Sequence, residues 1–299
     1  MKIIFFGTPD FAIPSLKIVL ENRHEVVAVV TAPDKPRGRG KQVSFTPIKE
    51  FALEHSIKVL QPESLKDENF IEHLRILDAD LFIVVAFRIL PKEVFTIPKF
   101  GAFNLHGSLL PKFRGAAPIQ WALINGEKTT GVTTFALAEK VDTGNIYLKK
   151  EIPIEEEDDF GSLHDKLSLL GSEAVAETVE LINSQLFKLL SQNDSEATPA
   201  PKITKELCEI DWGKDARDIH NLIRGLSPFP AGFFKHREKS YKVYKTRVVE
   251  SELAPGEIYE TTNDLIFGCG KNALSILEIK QEGKKRMNID EFLRGHRFN

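Results

Sequence analysis

Lys2-Ile3-Ile4-Phe5-Phe6-Gly7-Thr8-Pro9-Asp10-Phe11 opens the chain, and its reading decides the fold class. Residues 2–6 are a compact apolar strand, and residues 7–10 turn it into a helix. Pro9 suits that first turn, because a helix start leaves its N–H groups unpaired in any case. Phe11, Leu16, Val19 and Leu20 follow at helical spacing, Asn22 and Arg23 stop the helix, and residues 25–31 read as a second strand. Strand, helix, strand in that order is a βαβ unit, the opening of a parallel, doubly wound α/β sheet.

The alternation continues. Helical patterns near residues 47–55 and 67–77 are separated by the apolar runs Val59-Leu60 and Leu81-Phe82-Ile83-Val84-Val85, the latter a buried central strand. Residues 131–137 and 145–150 read as further strands and residues 160–182 as an amphipathic helix. From Ser191 the composition turns polar and proline-containing, Ser-Gln-Asn-Asp-Ser-Glu-Ala-Thr-Pro-Ala-Pro-Lys-Ile-Thr, which is typical of a linker. Short β-rich pieces then recur between turn signals: Tyr241-Lys242-Val243-Tyr244, Gly256-Glu257-Ile258-Tyr259, Leu265-Ile266-Phe267 and Leu274-Ser275-Ile276-Leu277. They predict a small barrel. The expected division is a first domain over residues 1–190, a linker over 191–206 and a smaller β domain over 207–299. A chain of 299 residues suits two domains at about 100 to 200 residues each.

Chemistry concentrates in Gly101-Ala102-Phe103-Asn104-Leu105-His106, a short strand. Side chains of a strand alternate faces, so Asn104 and His106 point one way while Phe103 and Leu105 face the buried side. Gly107 and Pro111 then turn the chain at the carboxyl end of the strand, where open α/β sheets bind their ligands. Asp142, in Val141-Asp142-Thr143-Gly144, completes a set of amide, imidazole and carboxylate. Such a set steadies a developing oxyanion and moves a proton, which is acyl-group chemistry. Taken singly, each has a plainer reading as a turn residue or a satisfied structural group. The same-face pairing beside a turn shifts the balance toward catalysis.

Several classes are excluded or weakened. The first turn holds only Gly7 where a dinucleotide site needs Gly-x-Gly-x-x-Gly, and no Gly-x-x-x-x-Gly-Lys-Ser/Thr occurs. Cys208 and Cys269 lack the spacing of a zinc site or a disulfide framework, so no metal is expected and a reducing cytoplasm is. Neither a signal peptide nor a membrane span is legible. A net charge of −3 and a pI near 6.3 argue against coating nucleic acid broadly. Any nucleic-acid contact is local, and two places offer one. Asp34-Lys35-Pro36-Arg37-Gly38-Arg39-Gly40-Lys41 is a long cationic loop after the second strand, read as gripping a phosphate-bearing substrate rather than as a solvated surface run. Lys235, Arg237, Lys239, Lys242, Lys245 and Arg247 are interleaved with Phe233, Phe234, Tyr241 and Tyr244, and Lys284, Lys285, Arg286, Arg294 and Arg297 form a second cluster. These suit backbone contact and base stacking; a solvated strand face with core aromatics is the almost equal alternative.

Phe5-Phe6-Gly7-Thr8-Pro9-Asp10-Phe11, the cationic loop, the run from Asn104 through Leu105-His106-Gly107-Ser108-Leu109-Leu110-Pro111-Lys112-Phe113-Arg114-Gly115-Ala116-Ala117-Pro118-Ile119 to Gln120, and Asp142-Thr143-Gly144 together resemble the methionyl-tRNA formyltransferases. The resemblance covers essentially the whole chain. It implies a Rossmann-like formyltransferase domain followed by an OB-like β-barrel that binds tRNA. It also implies formyl transfer from 10-formyltetrahydrofolate to the α-amino group of methionyl initiator tRNA, with no metal and no obligate protein partner. Asn104, His106 and Asp142 carry the catalytic roles. The resemblance implies that Ser108, Leu109, Leu110 and Pro111 with Phe87, Arg88, Ile89 and Leu90 hold the folate, largely through backbone groups, and that Arg37, Arg39 and Lys41 meet the tRNA. Val84-Val85-Ala86-Phe87-Arg88-Ile89-Leu90-Pro91 is shorter than the commoner form in those enzymes, which has a glycine after the aromatic residue. A formyltransferase acting on an amino sugar nucleotide, and an RNA-binding module with an inert Rossmann-like half, are the competing readings.

Overall fold

The protein is described from a computed structural model covering residues 1–37 and 42–298. Its backbone contacts divide it into two compact units. The first comprises Met1–Gly115, Thr130–Ile152 and His164–Pro199; the second comprises Ala116–Thr129, Pro153–Leu163 and Ala200–Asn299. Two stretches from the middle of the sequence thus pack with the C-terminal residues.

In chain order the first half runs β1 (Lys2–Gly7), α1 (Ile13–Glu21), β2 (Glu25–Val30), β3 (Lys35–Arg37), β4 (Gln42–Ser44), α2 (Pro47–Glu54), β5 (Val59–Leu60), α3 (Glu68–Ile76), β6 (Leu81–Val85), α4 (Lys92–Phe95) and β7 (Ala102–His106). It continues through β8 (Arg114–Gly115), α5 (Pro118–Ile124), β9 (Thr129–Ala136), β10 (Ile146–Pro153) and α6 (Phe160–Ser184) to β11 (Pro199–Ala200). The main sheet has the order β10-β9-β7-β6-β1-β2-β5, with parallel pairing from β7 to β5 and β9 antiparallel to β7. Ile3, Ile4, Phe5 and Phe6 are each fully buried, so both faces of the central strand are covered, which is why it reads as an unbroken apolar run. From β1 the chain lays β2 and β5 to one side and later β6 and β7 to the other. The order therefore reverses between β1 and β6, the kind of switch point at whose carboxyl ends open α/β sheets bind their ligands. Helix starts follow local chemistry: Thr46 accepts from the Lys49 N–H to cap α2, and Asp67 accepts from the Phe70 N–H to cap α3.

The cationic segment expected as a loop is in part a hairpin, since β3 and β4 pair with Lys35 opposite Ser44 and Arg37 opposite Gln42. Two three-residue strands are too short for alternation to be read from the sequence. Of the residues expected to meet RNA, Arg37 lies on β3, while Arg39 and Lys41 lie outside the described residues.

The second unit contains α5, α7 (Ala216–Leu226), β12 (Gly232–His236), β13 (Lys239–Val249), β14 (Ile258–Glu260), β15 (Leu265–Gly268), β16 (Ala273–Gln281), β17 (Met287–Asn288) and α8 (Ile289–Leu293). Its strands form a curled antiparallel sheet in the order β12-β13-β16-β15-β14, with β17 beside β16. The expectation that its aromatics form a stacking surface is corrected for two of them. Phe234 and Tyr241 are buried and stack on each other at 5.3 Å, in a core with Trp212, Phe267 and Phe298. Helix α7 is absent from the elements expected of this half, although Ile219, Leu222, Ile223 and Leu226 make a helical apolar stripe over its buried face. It packs on α5 so closely that a Cβ at Gly225 would stand 2.7 Å from Ile124 Cγ1. Among the described residues no helix is long and apolar enough to cross a membrane.

Candidate active site

Strand β7 delivers Asn104 and His106 to the carboxyl edge of the sheet. The intervening apolar residues anchor it: Phe103 is fully buried against Tyr147, and Leu105 lies beneath α6 at Gly171, where a Cβ would come within 2.6 Å of Leu105 Cδ2. His106 is only 6% exposed, and its Nε2 lies 2.8 Å from the Phe113 carbonyl oxygen. A carbonyl only accepts, so Nε2 carries the hydrogen and donates, leaving Nδ1 as the nitrogen on the side of Asp142. The separation from Nδ1 to Asp142 Oδ2 is 3.9 Å. Asn104 is half-buried, and its amide makes no hydrogen bond among the described residues, so its N–H groups are available to a ligand.

Asp142 is held by two hydrogen bonds, one to its carboxylate and one to its carbonyl. Its Oδ2 accepts the Gly115 backbone N–H at 2.9 Å, and its φ of 55° bends the chain so that the carboxylate turns inward. Gln192 donates from Nε2 to the carbonyls of Asp142 and Gly144, while its Oε1 accepts from Arg114 Nε and Nη2. Arg114 also pairs with Asp194 at 2.7 Å, and this guanidinium holds the Asp194 carboxyl below its ordinary range. Gln192 and Asp194 belong to the polar stretch read as a linker. Nothing in their composition marks them as supports of Asp142, because the contact joins residues 50 positions apart.

The segment after β7 is pinned from below by Thr133, fully buried on β9 opposite His106. Its hydroxyl donates to the Ser108 carbonyl at 2.7 Å and accepts the Leu110 N–H at 3.0 Å. Ser108 is itself buried and donates to the Lys112 carbonyl; Leu110 packs against Phe135 and Ile146. These two side chains are therefore structural, which leaves the backbone and the half-buried Leu109 as the parts of 108–111 that can face a ligand. Thr133→Val keeps the shape but removes the hydroxyl from two buried partners, and is expected to lower stability by about 2 kcal/mol, read from the denaturant midpoint.

The loop after β6 lies at the same edge. Ala86 has a φ of 48°, Leu90 is buried and Ile89 is 71% exposed. Phe87 meets Phe6 edge-on at 5.6 Å, and the Arg88 guanidinium reaches the carbonyls of Pro62 and Glu63. The structure thus brings together Asn104, His106, Asp142 and the two flanking loops. Among the described residues no group of three or more His, Cys, Asp or Glu is placed to hold a metal ion.

The formyl transferase family model matches residues 1–179, and the model for the formyl transferase C-terminal domain matches residues 202–297. The chain is 50% identical over 300 residues to the methionyl-tRNA formyltransferase of Caldanaerobacter subterraneus, covering 99% of this chain and 97% of that one. It is 48% identical over 298 residues to the protein of the same name from Thermodesulfovibrio yellowstonii, covering 99% and 96%. Among solved structures, the N-formyltransferase of Helicobacter canadensis in complex with folinic acid and dTDP-3-aminofucose superposes with a TM-score of 0.69 at 21% identity, covering 92% of this chain and 99% of that one. With both family models matched and near-full-length relatives at about half identity, this chain belongs to the formyl transferase family.

Proposed function

We propose that this protein transfers the formyl group of 10-formyltetrahydrofolate to the α-amino group of methionyl initiator tRNA. The observation that carries the reading is the convergence of Asn104, His106 and Asp142 at the carboxyl edge of the sheet. It occurs in a chain whose near-full-length relatives are named for that reaction. The folate supplies an activated one-carbon carbonyl. The residues of this chain supply what an amine attacking that carbonyl needs.

Negative charge gathers on the formyl oxygen as the amine adds, and the Asn104 side-chain N–H is the donor that holds it. His106 donates its Nε2–H to Phe113, so only Nδ1 can serve the reacting groups. When protonated, His106 presents a second N–H to the oxygen, and the nearby Asp142 carboxylate stabilises that imidazolium. Asp142 also takes the proton released by the attacking amine and passes it toward the departing folate nitrogen, directly or through water. Backbone groups of residues 108–111 and 87–90 hold the folate on either side of β7 and β6. Arg37, Arg39 and Lys41 meet the acceptor end of the tRNA, and the basic groups of the C-terminal unit meet its phosphates. The place of action is the cytoplasm, and the two free, buried cysteines, Cys208 and Cys269, suit a reducing compartment.

The test mixes the purified protein with methionine-charged initiator tRNA and labelled formyl donor, beside parallel mixtures containing an amino sugar nucleotide or a ribonucleotide amine. Label is expected only in the charged tRNA, with KM rising steeply with salt because phosphate contacts release counterions. Label in the amino sugar nucleotide alone would assign the chain to the other branch of formyl transfer.

A further inference from the structure

We propose that the Arg88 side chain is a positioning group for the folate: its guanidinium staples the loop after β6, whose backbone faces the ligand, without touching the ligand itself. The inference rests on the folate reading above and adds a residue role to it.

Arg88 carries a charge into that loop, yet both terminal nitrogens of its guanidinium are engaged by main chain. Nη2 donates to the Pro62 carbonyl at 2.8 Å and Nη1 to the Glu63 carbonyl at 3.1 Å. The planar fork of a guanidinium matches two consecutive carbonyls, whereas an ammonium is a point charge that favours one of them. The group also stands over the Phe87 ring at 5.3 Å, and that ring leans on Phe6 of β1. Nε is buried with no partner. A buried unpaired donor is a cost that an apolar residue filling the same space would not carry, so packing alone does not account for an arginine here.

The staple bridges the ends of two strands that are not neighbours in the sheet. The sheet order β6-β1-β2-β5 separates the loop after β6 from the segment after β5, and Arg88 joins them. Its anchor is rigid in turn. Gln61 donates from Nε2 to the Ala32 carbonyl and to Asp34 Oδ1, both at 2.8 Å, and Lys49 bonds to both Asp34 and Gln61. At the near end Ala86 holds a φ of 48°, a conformation that residues with a side chain avoid and that persists only where the surroundings impose it. Phe87 against Phe6 and Arg88 on the anchor are the two constraints that follow it directly. Without Arg88 the loop is free to relax, and the backbone groups that face the folate lose their alignment.

The experiment measures calorimetric binding of folinic acid, together with steady-state kinetics, for wild type, Arg88→Ala and Arg88→Lys. Arg88→Ala is expected to weaken folinic acid binding about tenfold and to raise KM for the formyl donor by the same factor, the loss of charge-assisted hydrogen bonds acting through the loop. The KM for charged tRNA and kcat stay close to wild type, and Arg88→Lys falls between the two. Unchanged folate affinity in a folded Arg88→Ala protein overturns the proposal, as does an equal change in both KM values and kcat. If Arg88→Ala does not fold, an unchanged affinity in Arg88→Lys overturns it instead. A wild-type protein that binds no folinic acid sinks the functional reading. A wild-type protein that binds it but leaves charged tRNA unformylated sinks only the acceptor assignment, and the Arg88 comparison still stands.

Discussion

In the Asn104→Ala protein, kcat for formyl transfer is expected to fall by about a hundredfold to a thousandfold, the loss that follows removal of one oxyanion donor in comparable sites. The effect should be confined to turnover. Asn104 is half-buried and its amide makes no hydrogen bond among the described residues, so truncation leaves no buried partner behind and costs the fold little. Strand β7 remains anchored by Phe103 and Leu105, and His106 remains tied to the Phe113 carbonyl. Folinic acid affinity and the thermal midpoint should therefore stay near wild type while kcat and kcat/KM fall together, the signature of an interaction made in the transition state. Near-full turnover in a folded Asn104→Ala protein would remove this residue from the chemistry.

Gly144→Ala is expected to be the most damaging single methyl group that can be added to this chain's site region. A Cβ there would stand 1.7 Å from the Ala136 carbonyl oxygen, 2.9 Å from its carbon and 3.2 Å from Phe135 Cδ2. The obstacle is backbone of β9, the strand paired with β7, and the Ala136 N–H is already bonded to the Asn145 carbonyl across the same turn. Neither side can give way without moving the loop that carries Asp142. The expected loss is about 4 kcal/mol or more, or failure to fold, in line with forced overpacking against a fixed wall. Gly295→Ala is the control: no atom lies within 4 Å of its added Cβ, and it should melt within a degree or two of wild type. A Gly144→Ala protein with wild-type melting and activity would show that the turn can open, and that Asp142 is not held as tightly as its bonds to Gly115 and Gln192 imply.

The competing pulls on individual residues explain what could be read in advance. Residues 2–30 announce a βαβ unit because each element there is long enough to show its period, and the sheet they open is buried on both faces. Asn104 and His106 were legible as a pair because a strand fixes which neighbours share a face. The β3–β4 hairpin was not legible, since three residues on each side cannot show alternation. The basic and aromatic residues of β12 and β13 permitted two readings, and the curl of the sheet settled it for Phe234 and Tyr241 by turning them into the core. The resemblance places Arg88 among the residues that hold folate, and only the folded chain shows its side chain engaging the main chain of residues 62 and 63.

Local sequence therefore determined the element types, the α/β and β character of the two halves, and the side chains able to do acyl chemistry, because these depend on spacings of two to four residues along one segment. Tertiary structure alone decided how Asp142 comes beside His106, why Gln192 and Thr133 matter, and which ring nitrogen of His106 faces Asp142. Those are contacts between segments distant in the chain. Their geometry is set by strand order and close packing, and no pattern in one stretch encodes it.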